Sequence, residues 1–377
     1  MPKDLAIYVH WPFCTRICPY CDFNVYKQKK ETDLISAILT DLSFWRSWSG
    51  PRLVTSIHFG GGTPSLMTDE DVYSVISKIN SLWNVKPSCE ITLEANPIDM
   101  NKKRWEAYAK FGVNRLSLGV QSFYDVALST LGRDHNSEQA KKSIKLAKNT
   151  FPSVSMDLIF GWEGQNERLL MYDLTEAIKT GVEHISTYQL TIEEGTAFHK
   201  SEIRGNKKSV TSDQSADLYD ILVKNLVASG FEHYEVSNFA KPNHQSQHNL
   251  TYWKGLDYVG VGPGAHGRVT LNNSRYCTIS KMHPRDYIQN TKVMGHGLES
   301  REKLSPLDWA SEYIIMGLRA DNGISIQRYE EISGHSLLNK KIYSLVDGGF
   351  LLIEGDILSV SRKGRNVLDH ITREILI

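Results

Sequence analysis

The sequence predicts an α/β fold on a parallel sheet, with a smaller α+β module toward its C-terminal end. Three observations predict it. Short apolar runs rich in β-branched residues alternate with stretches whose apolar residues fall at helical spacing. Several of those stretches open behind acidic, Asn or Ser residues, as helices do. A separate group of helices around one hairpin follows only after residue 301.

In chain order, the strand-like runs are 5–10, 54–59, 90–94, 115–119, 153–160 and 184–189. The helix-like stretches between them are 33–48, 69–82, 102–110, 138–148 and 167–179, and a further helix is expected over 212–229. Alternation of this kind means βαβ units and a parallel sheet. Six such strands suit a partial or complete barrel, or an open doubly wound sheet. From 231 to 276 the chain is richer in His, Asn, Gly and aromatics. The tail reads as helices over 306–318 and 338–347, a hairpin over 350–360 turning at Glu354-Gly355-Asp356, and a last helix over 363–375. That order is winged-helix-like. From Arg301 onward, however, ten Lys and Arg face eleven Asp and Glu, so the basic footprint of a DNA reader is missing and a structural or protein-facing use is expected.

With 377 residues, 41% of them hydrophobic, the chain is long enough for a full core plus a companion module, and a disordered tail, a collagen or a small disulfide scaffold is excluded. Lys plus Arg and Asp plus Glu both number 43, which argues against a general polyanion binder; no nucleic-acid partner is expected. No apolar run approaches the roughly 18 residues of a membrane span. The opening Met1-Pro2-Lys3-Asp4 runs into strand-like sequence without a signal-peptide core, so a cytoplasmic protein without a transmembrane segment is expected.

In parallel sheets ligands sit at the carboxyl ends of the strands. Those ends read His10-Trp11-Pro12, Gly60-Gly61-Gly62-Thr63, Glu94-Ala95-Asn96-Pro97 and Gln121-Ser122, which is site-like chemistry on one rim of an apolar sheet. Five cysteines, an odd number, make a disulfide framework improbable. Three of them, Cys14, Cys18 and Cys21, stand in a C-x3-C-x2-C pattern directly after the first strand. Three thiolates held this close can ligate one metal centre. Structural zinc normally takes four protein ligands; His10 could be the fourth, but no second cysteine pair follows at finger-like spacing. A 4Fe–4S cluster on three cysteines leaves one iron open to a cofactor or substrate. Cys89 reads as a small core residue.

The pattern at Cys14, Cys18 and Cys21, with the ending Pro19-Tyr20-Cys21, resembles the signature of the radical S-adenosylmethionine superfamily. The resemblance implies a partial (β/α)6 TIM-like barrel, a 4Fe–4S cluster on those three cysteines, and S-adenosylmethionine chelating the open iron, whose electron cleaves the sulfonium to a deoxyadenosyl radical. Gly61, Gly62 and Thr63 then match the loop for the methionine amino group. Tyr8, Glu94, Gln121, Arg133 and Asp157 match further cofactor positions. Glu94 suits ribose hydroxyls and Arg133 suits a carboxylate; taken alone, a strand-end Glu or Gln can equally cap the next helix.

Tyr8-Val9-His10-Trp11-Pro12-Phe13-Cys14 narrows the resemblance to the branch that holds oxygen-independent coproporphyrinogen III dehydrogenases and haem chaperones, over nearly the whole chain. The dehydrogenase pattern has a fourth cysteine where this chain has Phe23, and a long N-terminal extension where only seven residues precede Tyr8. Both departures weigh against porphyrinogen decarboxylation. His248-Asn249-Leu250-Thr251-Tyr252-Trp253 matches the H-N-x-x-Y-W motif of the chaperones. The resemblance thus implies a haem chaperone that delivers haem to acceptor proteins, with His248 on the haem iron and Tyr252 and Trp253 against the porphyrin; by residue type alone, a His near two aromatics is ordinary packing. His244, His266 and Cys277 are weaker candidates.

The alternative function is an oxygen-independent coproporphyrinogen III dehydrogenase or another radical-SAM enzyme that modifies a tetrapyrrole. A homodimer suits the resemblance, though no residue pattern signals one. The expected division is a radical-SAM core over 1–235, a haem-motif and connecting region over 236–300, and the winged-helix-like module over 301–377. The Gly-rich stretch 260–267 is interrupted by Pro263 and lacks the strand and helix context of a dinucleotide loop, so it reads as a mobile or close-packing loop.

Overall fold

The computed structural model describes residues 4–27 and 33–376; the opening Met1-Pro2-Lys3 lies outside them. Six parallel strands form in chain order: β1 (Asp4–Trp11), β2 (Leu53–Gly61), β3 (Asn84–Ala95), β4 (Arg115–Gln121), β5 (Ser153–Phe160) and β6 (His184–Gln189). Each pairs with its sequence neighbours in that order. A doubly wound sheet would reverse its strand order at a switch point. This sheet does not, and its unreversed order is that of a barrel wall.

The same sheet continues at both ends. Beyond β6 lies the antiparallel pair β7 (Glu232–Glu235) and β8 (Asn238–Ala240). Beyond β1 lies β9 (Tyr258–Val261), a seventh parallel strand, followed by the antiparallel β10 (His266–Leu271), β11 (Ser274–Ser280) and β12 (Leu298–Lys303). The outermost strands β7 and β12 do not pair with each other, so the barrel is partial. Residues 258–303 thereby add four strands to the main sheet, with helix Pro284–Met294 before the last of them. The Gly-rich stretch 260–267 packs closely: a Cβ on Gly262 would stand 2.3 Å from the His10 carbonyl oxygen.

Side-chain alternation explains the layers. Ile7 and Val9 on β1, Ile57 and Phe59 on β2, Ile91 and Leu93 on β3, Leu116 and Leu118 on β4, and Val154 and Met156 on β5 face outward into one apolar core. The wrapping helices close it. Leu34–Ser49 contributes Leu34, Ile38, Leu42 and Trp45, and Asp69–Leu82 contributes Val72, Val75, Ile76 and Ile79. The second of these starts at a capping box, with Thr68 and Asp71 each accepting the other's backbone N–H. Helices 137–150 and 212–228 open the same way, at Asn136 and Gln139 and at Thr211 and Gln214.

The C-terminal module has its own core of Ile314, Leu318, Ile324, Ile342, Leu351, Leu358 and Ile371. Helices Pro306–Gly317, Ile326–Ser333 and Lys340–Asp347 pack on a three-stranded sheet of Ile324–Ser325, Leu351–Glu354 and Ile357–Val360, which is the winged-helix order. Helix Ile326–Ser333 was not among the elements expected from the sequence. The expected last helix is two, Arg362–Arg365 and Leu368–Leu376. No helix among the described residues is long and apolar enough to cross a membrane.

Candidate functional site

The inward face of the six strands is polar. Tyr8, His58, Thr92, Glu94, Arg115, Ser117, Ser155, Asp157, His184, Ser186 and Tyr188 occupy it at two-residue spacing along their strands. Register aligns them in tiers, with His58 opposite Thr92, Glu94 opposite Ser117, and Asp157 opposite Ser186. Barrel interiors are usually filled by layers of Val, Ile and Leu. Shorter polar side chains leave space, and two adjoining cavities share Glu94, Ser117, Asp157 and Tyr188 in their walls.

The larger cavity, about 510 Å³, opens at the carboxyl rim. Its walls bring together Cys14, Cys18, Cys21, Gly61, Gly62, Thr63, Glu94, Gln121, Arg133 and Asp157. The cysteine loop is tied to the glycine loop by backbone bonds from Gly62 N–H to the Trp11 carbonyl at 2.7 Å and from Thr63 N–H to the Phe13 carbonyl at 2.9 Å. A hydrogen-bonded chain then runs beneath the sulfurs. Arg133 donates to Cys18 Sγ at 3.2 Å and to Asn96 Oδ1 at 2.6 Å; Asn96 donates to Thr63 Oγ1 at 3.1 Å, and Thr63 to Cys14 Sγ at 3.4 Å. Burial pushes the Cys14 thiol up, and the Cys21 thiol up to about 11. A metal that took these sulfurs would deprotonate them. Burial, followed by the nearby Glu94 charge, pushes the Asp157 carboxyl up to about 7.

Two features mark the cavity as prepared for a ligand. Gln121 holds φ at 67°, a strained value for a residue with a side chain, and its Oε1 is buried without a partner, as is Arg133 Nε. Phe23 sits at the mouth, 65% exposed, where the dehydrogenase pattern has its fourth cysteine.

The smaller chamber, about 300 Å³, lies within the barrel and is floored by helix Gln247–Trp253, which carries the H-N-x-x-Y-W residues. A buried ion pair pins that floor: Arg115 Nε donates to Glu90 Oε2 at 2.8 Å, and Glu90 Oε1 accepts the His248 backbone N–H at 3.0 Å. Arg115 also donates to the His244 carbonyl at 2.9 Å.

Residues 8–174 match the radical SAM superfamily and residues 304–367 the HemN C-terminal domain. The chain is 38% identical over 323 residues to the heme chaperone HemW of Escherichia coli strain K12, covering 84% of this chain and 82% of that protein. It is 35% identical to the mitochondrial radical S-adenosyl methionine domain-containing protein 1 of Danio rerio, covering 99% of this chain and 87% of that one. The chain belongs to the HemW family. Coproporphyrinogen III oxidase (HemN) of Escherichia coli shares the fold, with a TM-score of 0.83 at 19% identity over 99% of this chain and 90% of its own. Radical SAM membership implies a 4Fe–4S cluster and S-adenosylmethionine as the cofactors.

Within this HemW-family chain not every expected site residue lies where the resemblance implied. Tyr8 does not line the cofactor cavity; it lies in the inner chamber, its hydroxyl 3.0 Å from His10 Nδ1. Arg133 is already spent on Cys18, Asn96 and the Gly119 carbonyl, which leaves Nε alone for a carboxylate. Gly61 is required by protein contact: its φ is +108°, and a Cβ there would meet the His10 ring at 2.5 Å. His248 is 1% exposed, with Nδ1 2.9 Å from Ser56 Oγ and Nε2 2.8 Å from the Tyr252 hydroxyl, so neither ring nitrogen is presented to a haem iron. Tyr252 is turned inward with it, and Trp253 lies under the Arg319 guanidinium at 5.1 Å. His244, His266 and Cys277 do not line the chamber that holds His248. Cys89 is a core residue, 5% exposed.

Sequence reasoning missed Asn96 and His58. The first was visible at a strand end but carried no distinctive chemistry alone. The second stands three residues before Gly61, and its signal was the polar beat of β2.

Proposed function

We propose that this chain is a haem chaperone: it carries haem to acceptor proteins and holds a 4Fe–4S cluster and S-adenosylmethionine at the barrel rim. One observation carries the reading. A three-cysteine rim with Phe23 in place of a fourth thiol stands in a chain related over most of its length to proteins named heme chaperone.

Cys14, Cys18 and Cys21 would hold the cluster, and Thr63 and Arg133 would donate hydrogen bonds to the Cys14 and Cys18 thiolates. The unpartnered Gln121 and Arg133 atoms, and the three thiols set around one cavity, fit this group. Bound there, the cluster and S-adenosylmethionine supply one-electron cleavage chemistry. Gly61, Gly62 and Thr63 would flank the methionine end, while Glu94, Gln121 and Asp157 would meet the nucleoside end. His248, Tyr252 and Trp253 remain the haem-side residues of the proposal, on one condition: ligation by His248 requires helix Gln247–Trp253 to leave the floor and release Ser56 and Tyr252. Reduced, metal-binding cysteines suit a cytoplasmic compartment.

Anaerobic reconstitution followed by haem titration tests the reading. A Soret shift that saturates with haem is expected, together with transfer of that haem to an apo-acceptor. Cluster uptake without a Soret shift overturns it. Vinyl products from coproporphyrinogen III, detected by mass spectrometry with multiple-turnover deoxyadenosine, would replace it with the dehydrogenase reading.

A further inference from the structure

The floor histidine contacts more than its two hydroxyl partners. The His248 ring stacks on His58, with centroids 4.9 Å apart and planes 24° from parallel. Tyr8 packs beside both imidazoles, 6.0 Å from His58 at 23° and 6.3 Å from His248 at 35°. His58 Nε2 lies 2.8 Å from Glu94 Oε1, and Glu94 stands in the wall shared by the two cavities. Among the described residues nothing else hydrogen-bonds the Glu94 carboxylate. A line of direct contacts therefore runs from the H-N-x-x-Y-W helix, through one imidazole pair, to a carboxylate on the cofactor cavity.

We infer that His248 is a positioning residue for that cavity: docked on the floor, it holds the plane of His58, and His58 holds the Glu94 carboxylate at the angle from which it meets the bound ligand. The inference rests on the reading that the cavity takes S-adenosylmethionine through its nucleoside hydroxyls. The physical basis is torsional. An imidazole rotates about two side-chain bonds, and one hydrogen bond to a carboxylate leaves it free to swing about that bond. Packing the ring against His248 and Tyr8, which also touch each other, removes that freedom. His58 then donates Nε2–H to Oε1 along a fixed line and leaves Oε2 for the ligand's hydroxyls. Ser56 and Tyr252 do the same for His248 itself, because two hydroxyls on opposite nitrogens fix its ring plane.

Equilibrium binding of S-adenosylmethionine to the anaerobically reconstituted full chain provides the test. His58→Phe keeps a ring in the stack but loses the donor, and His58→Gln keeps an N–H donor within reach of Glu94. Affinity is expected to fall about tenfold in His58→Phe and in His248→Ala, with most of the loss recovered in His58→Gln. Tyr252→Phe releases His248 Nε2 without emptying the floor and should weaken binding about two- to threefold; it decides the matter if His248→Ala does not fold. Iron content and thermal midpoint, measured on each variant, separate positioning from loss of structure. Native affinity in His248→Ala, or in Tyr252→Phe where that variant decides, overturns the inference. So does binding as weak in His58→Gln as in His58→Phe. A native reconstituted chain that binds no S-adenosylmethionine overturns the reading of the cavity instead.

Discussion

The rim and the floor of the barrel are built by different means. Rim residues come from loops at successive strand ends, so the cysteine motif and the glycine loop are short, contiguous and readable. Floor residues are single inward positions on strands β1 to β6, closed by a helix that begins at Gln247, far along the chain. The rim is open and has unpartnered atoms at Gln121 and Arg133. The floor is sealed by a buried ion pair and by a histidine satisfied on both nitrogens. What the difference teaches is a division of labour. The rim offers unpartnered groups to the open cavity, while the buried pairing at His248 and Arg115 holds the shape beneath it.

The comparison breaks most sharply at the cysteines. Cys14→Ala is expected to abolish cluster uptake, with iron and sulfide per chain at background after reconstitution, whereas Cys89→Ala should retain both. Retention of iron in Cys14→Ala would show that the rim is not the metal site. On the floor, Arg115→Ala leaves Glu90 buried and unpaired, and should cost about 3–5 kcal/mol in denaturant unfolding. A loss below 1 kcal/mol would mean that the ion pair does not hold the floor closed.

Asp157 belongs to both regions and should show itself through pH. Its carboxyl lies near 7 when folded against 3.8 ordinarily, so between those values the folded chain retains a proton that the unfolded chain has released. Stability of the cofactor-free chain therefore falls as pH rises from about 4 to about 7, then levels. Asp41 and Asp173, both pushed up to about 6 by burial, act with the same sign. Asp157→Asn should flatten the profile by about one proton, read from urea midpoints across that window; an unchanged slope would remove Asp157 as its source. Smallest is Ser56→Ala, which leaves His248 Nδ1 unpaired in the floor and should cost about 1–3 kcal/mol with iron uptake unaltered. A loss of iron there would join the two regions more tightly than the geometry does.

Much of the rim was legible from residue order alone. Cys14, Cys18 and Cys21 and the loop Gly60 to Thr63 each sit at a strand end, and parallel topology sends all such ends to one rim. The floor was harder to read. The strands were taken as apolar runs, yet Ser56 and His58, Thr92 and Glu94, Ser117 and Ser155 alternate with the apolar positions, and that beat was the sign of a polar lumen. The role of His248 was not legible. Its motif named imidazole chemistry, but the chemistry left open depends on Ser56, 192 residues away in sequence.

The sequence by itself determined the α/β class, the six-strand succession and the clustering of three cysteines after the first strand. All three depend on local spacing, which chain order preserves. Only the tertiary structure decided that Tyr258–Val261 joins the parallel sheet, that Arg133 turns to Cys18 rather than outward, and that His248 faces the lumen with both nitrogens taken. Each of those outcomes is fixed by a long-range contact whose partner must first be placed by the fold, and no spacing along the chain encodes it.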